Sequence, residues 1–228
     1  MEGSPENAKL VAQHGPRMAW FKKDSPEAAL DYLLASRLID VKNPRKSLLL
    51  LKPLEEVEHG GGKKMLVGDQ GFRLFLGFLE DYAKIKINAY PDAASLPVNA
   101  VPTARFGTNI WLKLTNTLPA WGDRLVQVDV YAKNAAGEWE PRPIATSDRL
   151  VWGKGQQWQH MLTLLADADS ARAQTWRTAK PTLPRGAYQV RVLVDRATAA
   201  QAERGQHRLE LAGTLEATSG WPEKDTAP

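Results

Sequence analysis

A helical spacing of apolar residues runs through the first part of the chain. The clearest segment follows Asp69, where apolar residues recur three or four positions apart and charged residues stand between them. The apolar face consists of Phe72, Phe75, Leu76, Leu79, Tyr82 and Ala83. A second helix is predicted after Ser25, because serine is a good N-cap and Pro26 suits the first helical turn. A short apolar run at 47–51 lies between the two helices, so the pattern predicts a small helical domain.

The spacing changes to two in the second half of the chain. Apolar and polar residues alternate at 110–114, 126–130 and 188–194, which predicts half-buried strands. Further strand candidates lie at 149–152, 158–165, 207–211 and 213–218. Turn residues separate these segments, and an insertion at 170–180 could form a short helix. Short antiparallel strands at this density predict a β-sandwich of immunoglobulin-like or C2-like form.

The segment 89–104 separates the two patterns. It is rich in proline and alanine and has no sustained period, so it indicates a linker. Seven of the eight tryptophans lie beyond it, from Trp111 onwards. We therefore predict an α+β, two-domain fold with a helical domain at 1–88, the linker, an antiparallel β-sandwich at 105–219 and a polar tail at 220–228.

The amino-acid composition excludes several kinds of site. The chain of 228 residues contains no cysteine, so it can form neither disulfides, thiolate metal sites nor thioether bonds to haem. The net charge of +4 is spread evenly, with no basic block, and we expect no nucleic-acid partner. No apolar run is long enough to predict a membrane span. The first residues include acidic ones where a signal peptide has basic ones, so no signal peptide is predicted.

Motifs for catalysis are equally sparse. His160 and His207 lie in alternating strand segments, where we expect hydrogen-bonded or surface histidines rather than ligands. The glycines at 60–62 precede two lysines, and a tight turn is favoured over an anion site there. The carboxylates at 55–58 are expected to form a solvated surface. With no nucleophile, metal cluster or acid/base pair to name, we predict a non-enzymatic protein.

The tryptophans of the second half have two interpretations. Core packing is the default for a tryptophan on a strand. Trp111 and Trp158 need not share a face with the aliphatic residues beside them, however, and Trp221 lies in the polar tail. These three residues are therefore predicted as binding residues for a protein partner, and an exposed aromatic platform could alternatively bind a glycan.

Sequence motifs in the first half carry a resemblance. The stretch Asn-Pro-Arg-Lys-Ser-Leu-Leu-Leu-Leu-Lys-Pro at 43–53, followed by His-Gly-Gly-Gly at 59–62, resembles the cytochrome-c-like domains of planctomycete-type exported proteins. Segments of the second half resemble the region after the haem domain in that family; they lie at 111–113, 121–123, 141–148 and 183–188. The resemblance implies export to the periplasm or cell envelope.

This chain departs from the family at the haem-attachment motif. The resemblance aligns the motif with residues 10–16, so that His14 matches the proximal haem ligand while Leu10 and Gln13 occupy the two cysteine positions. We expect the haem to be lost and no cofactor to be bound. The alternative is a haem held without covalent bonds between His14 and either Met65 or His59.

These observations lead to one principal functional hypothesis. We predict a structural or accessory subunit, without catalytic activity, that docks onto a larger redox or cell-envelope assembly. The alternatives are electron transfer by a non-covalently bound haem and glycan binding by the predicted sandwich.

Overall fold

The computed structural model describes residues 5–14, 25–58, 60, 62–95, 103–151 and 157–218. The described helices are α1 Pro5–His14, α2 Pro26–Ala35, α3 Leu48–Leu51, α4 Gln70–Lys86, α5 Ala171–Thr178 and α6 Ala199–Glu203. The described strands are β1 Thr103–Thr115, β2 Leu125–Ala132, β3 Ala145–Leu150, β4 Gln157–Asp167, β5 Ala187–Asp195 and β6 Leu209–Thr218. The predicted mixed α+β class is confirmed.

The chain divides into two compact units. The first comprises Met1–Lys64 and Gly71–Leu96, and the second comprises Met65–Gln70 and Pro97–Pro228. Residues 65–70, which we call the strap, thus belong to the second unit although first-unit segments precede and follow them in sequence. The predicted domain limits stay a prediction. Residues 96–102 of the predicted linker and the whole predicted tail lie outside the described residues.

Capping and amphipathic burial account for the helices of the first unit. The Ser25 side chain accepts a hydrogen bond from the Ala28 N–H at 3.2 Å, as expected of an N-cap directly before α2. In α4, one stripe of apolar residues is buried; it consists of Phe72, Leu76, Leu79 and Tyr82. Leu50 of α3 is also fully buried. The predicted apolar face of α4 is therefore confirmed at four of its six residues, and the other two, Phe75 and Ala83, are half-buried.

The second unit contains one six-stranded antiparallel sheet. Its strand order is β1-β4-β3-β2-β5-β6. Val126, Val128 and Val130 of β2 face three valines of β5 across the ladder, and all six are buried. Helix α5 forms within the predicted insertion at 170–180, and its Trp176 packs in this core.

The predicted β-sandwich is not confirmed. All six described strands are joined in one sheet, with β3 and β4 paired through only two residue pairs. The immunoglobulin-like or C2-like arrangement stays a prediction. Strand β3 begins at Ala145, earlier than predicted. The apolar pattern missed this start because the buried positions include the polar residues Thr146 and Ser147. No helix among the described residues has the length and apolar character needed to cross a membrane.

Candidate functional site

The predicted haem ligands are only partly described. His14 is the last residue of α1, but its side chain and the whole of His59 lie outside the described residues. Met65, the third candidate, is buried in the strap. With two of the three candidates outside the described side chains, the haem ligand set stays a prediction. Among the described residues, no group of three or more His, Asp or Glu side chains could bind a metal.

The three predicted partner-binding tryptophans have different positions. Trp158 is only 1% exposed, and its indole N–H donates to the Arg149 carbonyl at 3.1 Å. The prediction that Trp158 binds a partner is therefore wrong, since a side chain packed in the sheet core cannot reach a partner. Trp221 lies outside the described residues. Trp111, in contrast, is 49% exposed.

A bulge in β1 precedes Trp111. Between Gly107 and Trp111 the register shifts, because β1 advances four residues while β4 advances two. The Thr108 hydroxyl donates to the Leu162 carbonyl at 2.6 Å and accepts from the Ile110 N–H at 3.0 Å. Thr108 therefore satisfies polar groups that the extra residues would otherwise leave without ladder partners.

Trp111 lies next to a second exposed apolar residue. Its partner across the ladder is Met161 of β4, which is 39% exposed. The following pair on the same face, Lys113 and Gln159, is exposed and polar. We call these four residues the Trp111 patch. Sequence reasoning missed Met161, although its position two residues after Gln159 placed it on the polar side of the β4 alternation.

His160 forms a hydrogen bond with a serine, which invites comparison with a catalytic pair. The Ser147 Oγ lies 2.8 Å from His160 Nδ1 and also donates to the Met161 carbonyl at 2.8 Å. Since the hydroxyl has one proton and gives it to that carbonyl, it accepts from the Nδ1–H of the imidazole. Burial, with a contribution from the Arg149 charge, lowers the pKa of His160 and favours its neutral form. The histidine does not act as a base toward Ser147.

His207 forms a second polar cluster, in the second unit. Its Nδ1 lies 2.6 Å from Asp195 Oδ2, and its Nε2 lies 2.7 Å from the Val67 carbonyl of the strap. The side chains of His207 and Asp195 are 7% and 5% exposed. Both ring nitrogens are thus engaged within the protein, as expected for a hydrogen-bonded histidine, although His207 lies before β6 and not in a strand as predicted.

Gln70 at the end of the strap contacts the sheet. Its backbone N–H donates to Asp148 Oδ2 at 2.9 Å, and its side-chain amide donates to the Thr146 hydroxyl at 3.2 Å. Arg105 of β1 donates to the Gln70 side-chain oxygen. The Thr146 hydroxyl donates in turn to the buried Asp129 at 2.6 Å. These contacts connect the strap to three strands through polar side chains.

The described side chains therefore include the exposed Trp111 patch, further exposed apolar residues on α4 and β6, and two internally bonded histidines. The patch offers a binding surface, whereas the histidines offer no described group for attack on a substrate. Comparison with protein-family models, with curated proteins and with solved structures found no match.

Proposed function

We propose that the protein is a non-enzymatic accessory subunit that docks onto a larger assembly through the Trp111 patch. The observation that carries this proposal is the half-exposed Trp111 beside the exposed Met161 on one face of the sheet. Tryptophan and methionine are enriched at protein interfaces because they bury a large apolar area, and methionine adapts its shape to the partner. Lys113 and Gln159 would then form part of the polar rim.

The internal bonding of the histidines supports a binding role. The Ser147 hydroxyl is committed to a backbone carbonyl, and the His207 ring is held between Asp195 and the strap. A hydrolytic mechanism requires a nucleophile that shares its proton with a base, which the Ser147 geometry does not provide. The described polar clusters thus stabilise the fold and leave the Trp111 patch as the candidate for function.

The resemblance in the first half of the chain suggests the kind of assembly. In this proposal the helical unit is a cytochrome-c-like domain that has lost its haem, and the partner is a redox or envelope complex in the periplasm. Electron transfer by a bound haem is the less favoured alternative, because the chain has no cysteine to attach a haem covalently. The patch also contains the aromatic ring of Trp111 and the amide side chain of Gln159, which a glycan could use.

The docking proposal predicts that Trp111→Ala weakens binding while leaving the fold intact. Truncation of a buried interface tryptophan costs about 2 kcal/mol or more, which corresponds to an affinity loss of roughly thirtyfold. The measurement is quantitative co-purification from native envelope extract, followed by titration of the retained partner with purified wild type and variant.

The matched control is Leu211→Ala, which removes an exposed apolar side chain from β6, away from β1 and β4. Equal retention of the partner by W111A and wild type would contradict docking through this patch. Affinity electrophoresis on polysaccharides tests whether the Trp111 patch binds a glycan instead. Retardation of the wild type that W111A abolishes would replace the docking proposal with glycan binding.

A further inference from the structure

The sheet of the second unit ends in two edge strands. Strands β1 and β6 stand at the two ends of the strand order, and each pairs with one neighbour among the described strands. In an antiparallel edge strand, every second residue directs its N–H and C=O groups away from that neighbour. A further extended strand satisfies these groups by continuing the ladder. Both ends of the sheet therefore have the backbone groups needed to add a strand.

A bulge divides each edge strand and leaves one regular segment. In β1 the irregularity precedes Trp111, and residues 111–115 pair with β4 without interruption. In β6 the irregularity precedes Gly213, and residues 213–218 pair with β5 without interruption. Bulges disturb the pairing of an edge. An added strand is therefore expected on these two segments, which we call the β1 edge (111–115) and the β6 edge (213–218).

The two edges carry opposite charges. Strand β1 contains Arg105 and Lys113 and no acidic residue. Strand β6 contains Glu210 and Glu216 and no basic residue. Arg105 and Glu210 have partners within the protein. Lys113 and Glu216 are exposed and have no ion-pair partner among the described residues. The β1 edge thus presents one unpaired positive charge, and the β6 edge presents one unpaired negative charge.

The topology of the sheet determines how these edges can meet. Neighbouring strands are antiparallel throughout the order from β1 to β6, so β6 runs opposite to β1. When a second copy is placed beside the first in the same orientation, its β1 lies antiparallel to β6 of the first copy. The same faces of the two sheets then lie on the same side. Two copies can therefore form one continuous antiparallel sheet.

The register that pairs the two charges also pairs apolar residues. With Lys113 opposite Glu216, antiparallel counting places Leu114 opposite Leu215. Leu215 lies beside the buried Val190 on the core face of the sheet and is nevertheless 56% exposed. Leu114 packs against the same core from β1. This register therefore covers an apolar side chain that β6 leaves open at the end of the core.

We propose that the β1 edge of one copy of this chain pairs with the β6 edge of a second copy, with Lys113 opposite Glu216. Pairing of two β1 edges would bring positive strands together, and pairing of two β6 edges would bring negative strands together. The interface is therefore heterologous, and each added copy leaves one edge of each kind for the next. The inference does not rest on docking at the Trp111 patch, since it is tested on the purified protein without a partner.

The test measures self-association of the purified full chain. Sedimentation velocity over a range of protein concentrations, at low and at high salt, gives the molecular mass and the dissociation constant. We expect the mass to rise with protein concentration at low salt and association to weaken at high salt, because exposed charges are screened. Hydrogen exchange at low and high protein concentration should show new protection in the β1 edge and the β6 edge. A monomeric mass at the highest soluble concentration, or protection confined to other segments, would overturn the proposal.

Charge reversal provides matched variants. Lys113→Glu and Glu216→Lys each place like charges opposite one another, and each should weaken association about tenfold or more. The double variant K113E/E216K restores opposite charges and should associate like the wild type. An equimolar mixture of the two single variants should co-assemble although neither associates alone.

Lys46→Glu is the control, because it makes the same change in net charge at an exposed position of the first unit. It should leave the dissociation constant unchanged. Equal weakening by K46E and K113E, or a double variant that does not recover association, would contradict the pairing of β1 with β6. The wild-type mass and exchange data decide the matter even if a charge-reversed variant fails to fold.

Discussion

Gly68 and Gly205 are positions where a single side-chain atom decides whether the strap fits. Both have positive φ, which L-residues with a Cβ adopt at a cost, and the Cβ of an alanine at Gly68 would overlap the Gly205 backbone. We expect Gly68→Ala to lower the free energy of unfolding by about 2 kcal/mol or more, since strain and overlap add. Urea denaturation followed by circular dichroism measures this change.

Gly77 of α4 is the control for this substitution. Apart from the neighbouring residues and the backbone of α4 itself, no atom lies within 4 Å of the position that its Cβ would occupy. Gly77→Ala is therefore expected to stabilise the protein by up to about 1 kcal/mol through helix propensity alone. A Gly68→Ala protein as stable as wild type would show that the strap does not lie against Gly205.

Asp195 gives stability a defined dependence on pH. Burial raises the pKa of Asp195, but the hydrogen bonds from His207 and from two backbone N–H groups lower it by more. The pKa is therefore below that of an ordinary carboxyl. The folded state then favours the carboxylate. This contribution is present above the ordinary carboxyl pKa of about 4 and is lost as the pH falls through the lower folded value.

We therefore expect Asp195→Asn to lower the free energy of unfolding at pH 7 and to flatten its decline toward acid pH. Urea denaturation at a series of pH values from neutral to acid provides the measurement. Asp31→Asn, at an exposed position of α2, is the matched control and should keep the wild-type slope. If the free energy of unfolding of Asp195→Asn fell toward acid pH as steeply as that of the wild type, Asp195 would not be bonded as described.

At the level of elements, α4 contains two buried leucines and one exposed leucine. Leu79 is among the most completely buried side chains, whereas Leu74, five residues earlier, is exposed. Leu79→Ala is expected to cost about 2–5 kcal/mol of stability through the lost burial and the cavity left behind. Leu74→Ala should change stability by less than about 0.5 kcal/mol.

Thermal or urea unfolding of the two leucine variants makes the comparison direct, because both replace the same side chain in the same helix. Equal losses would contradict the orientation of α4. The orientation was predictable from the sequence, since the apolar residues of α4 follow the helical period closely.

Elements with a strong period were the predictable ones. Helix α2 has an N-cap and a proline in its first turn. In β2 and β5, valines occupy every second position and face the core. Strand β3 was misplaced because Thr146 and Ser147 are polar and yet buried, their hydroxyl groups bonded to Asp129 and the Met161 carbonyl. A hydrophobicity pattern cannot detect a strand whose buried residues satisfy their polarity by long-range hydrogen bonds.

At the level of the whole molecule, the change of period along the chain indicated a helical part and a sheet part. It did not indicate that the strap belongs to the second compact unit. Met65 was assigned from sequence to the helical domain because it precedes α4. Its neighbours Val67, Gly68 and Gln70 instead contact residues of the second unit that lie far along the chain.

The tryptophans show the same division between sequence and tertiary structure. Trp111 and Trp158 both occur in strands, but Trp111 stands between Ile110 and Leu112 whereas Trp158 stands between two glutamines. The bulge held by Thr108 precedes the exposed Trp111, whereas Trp158 packs in the core with its N–H bonded to Arg149. Which of the two could meet a partner therefore depended on which side chains of each strand the fold buries.

The sequence by itself determined the helical and strand periods, the mixed α+β class and the exclusion of all cysteine chemistry, since these follow from local spacing and composition. Tertiary structure alone decided which polar residues meet. Asp195 and His207 are 12 residues apart, and His207 and Val67 are 140 residues apart. Hydrogen bonds over such separations are set by how strands and loops pack, and they leave no periodic signal in the chain.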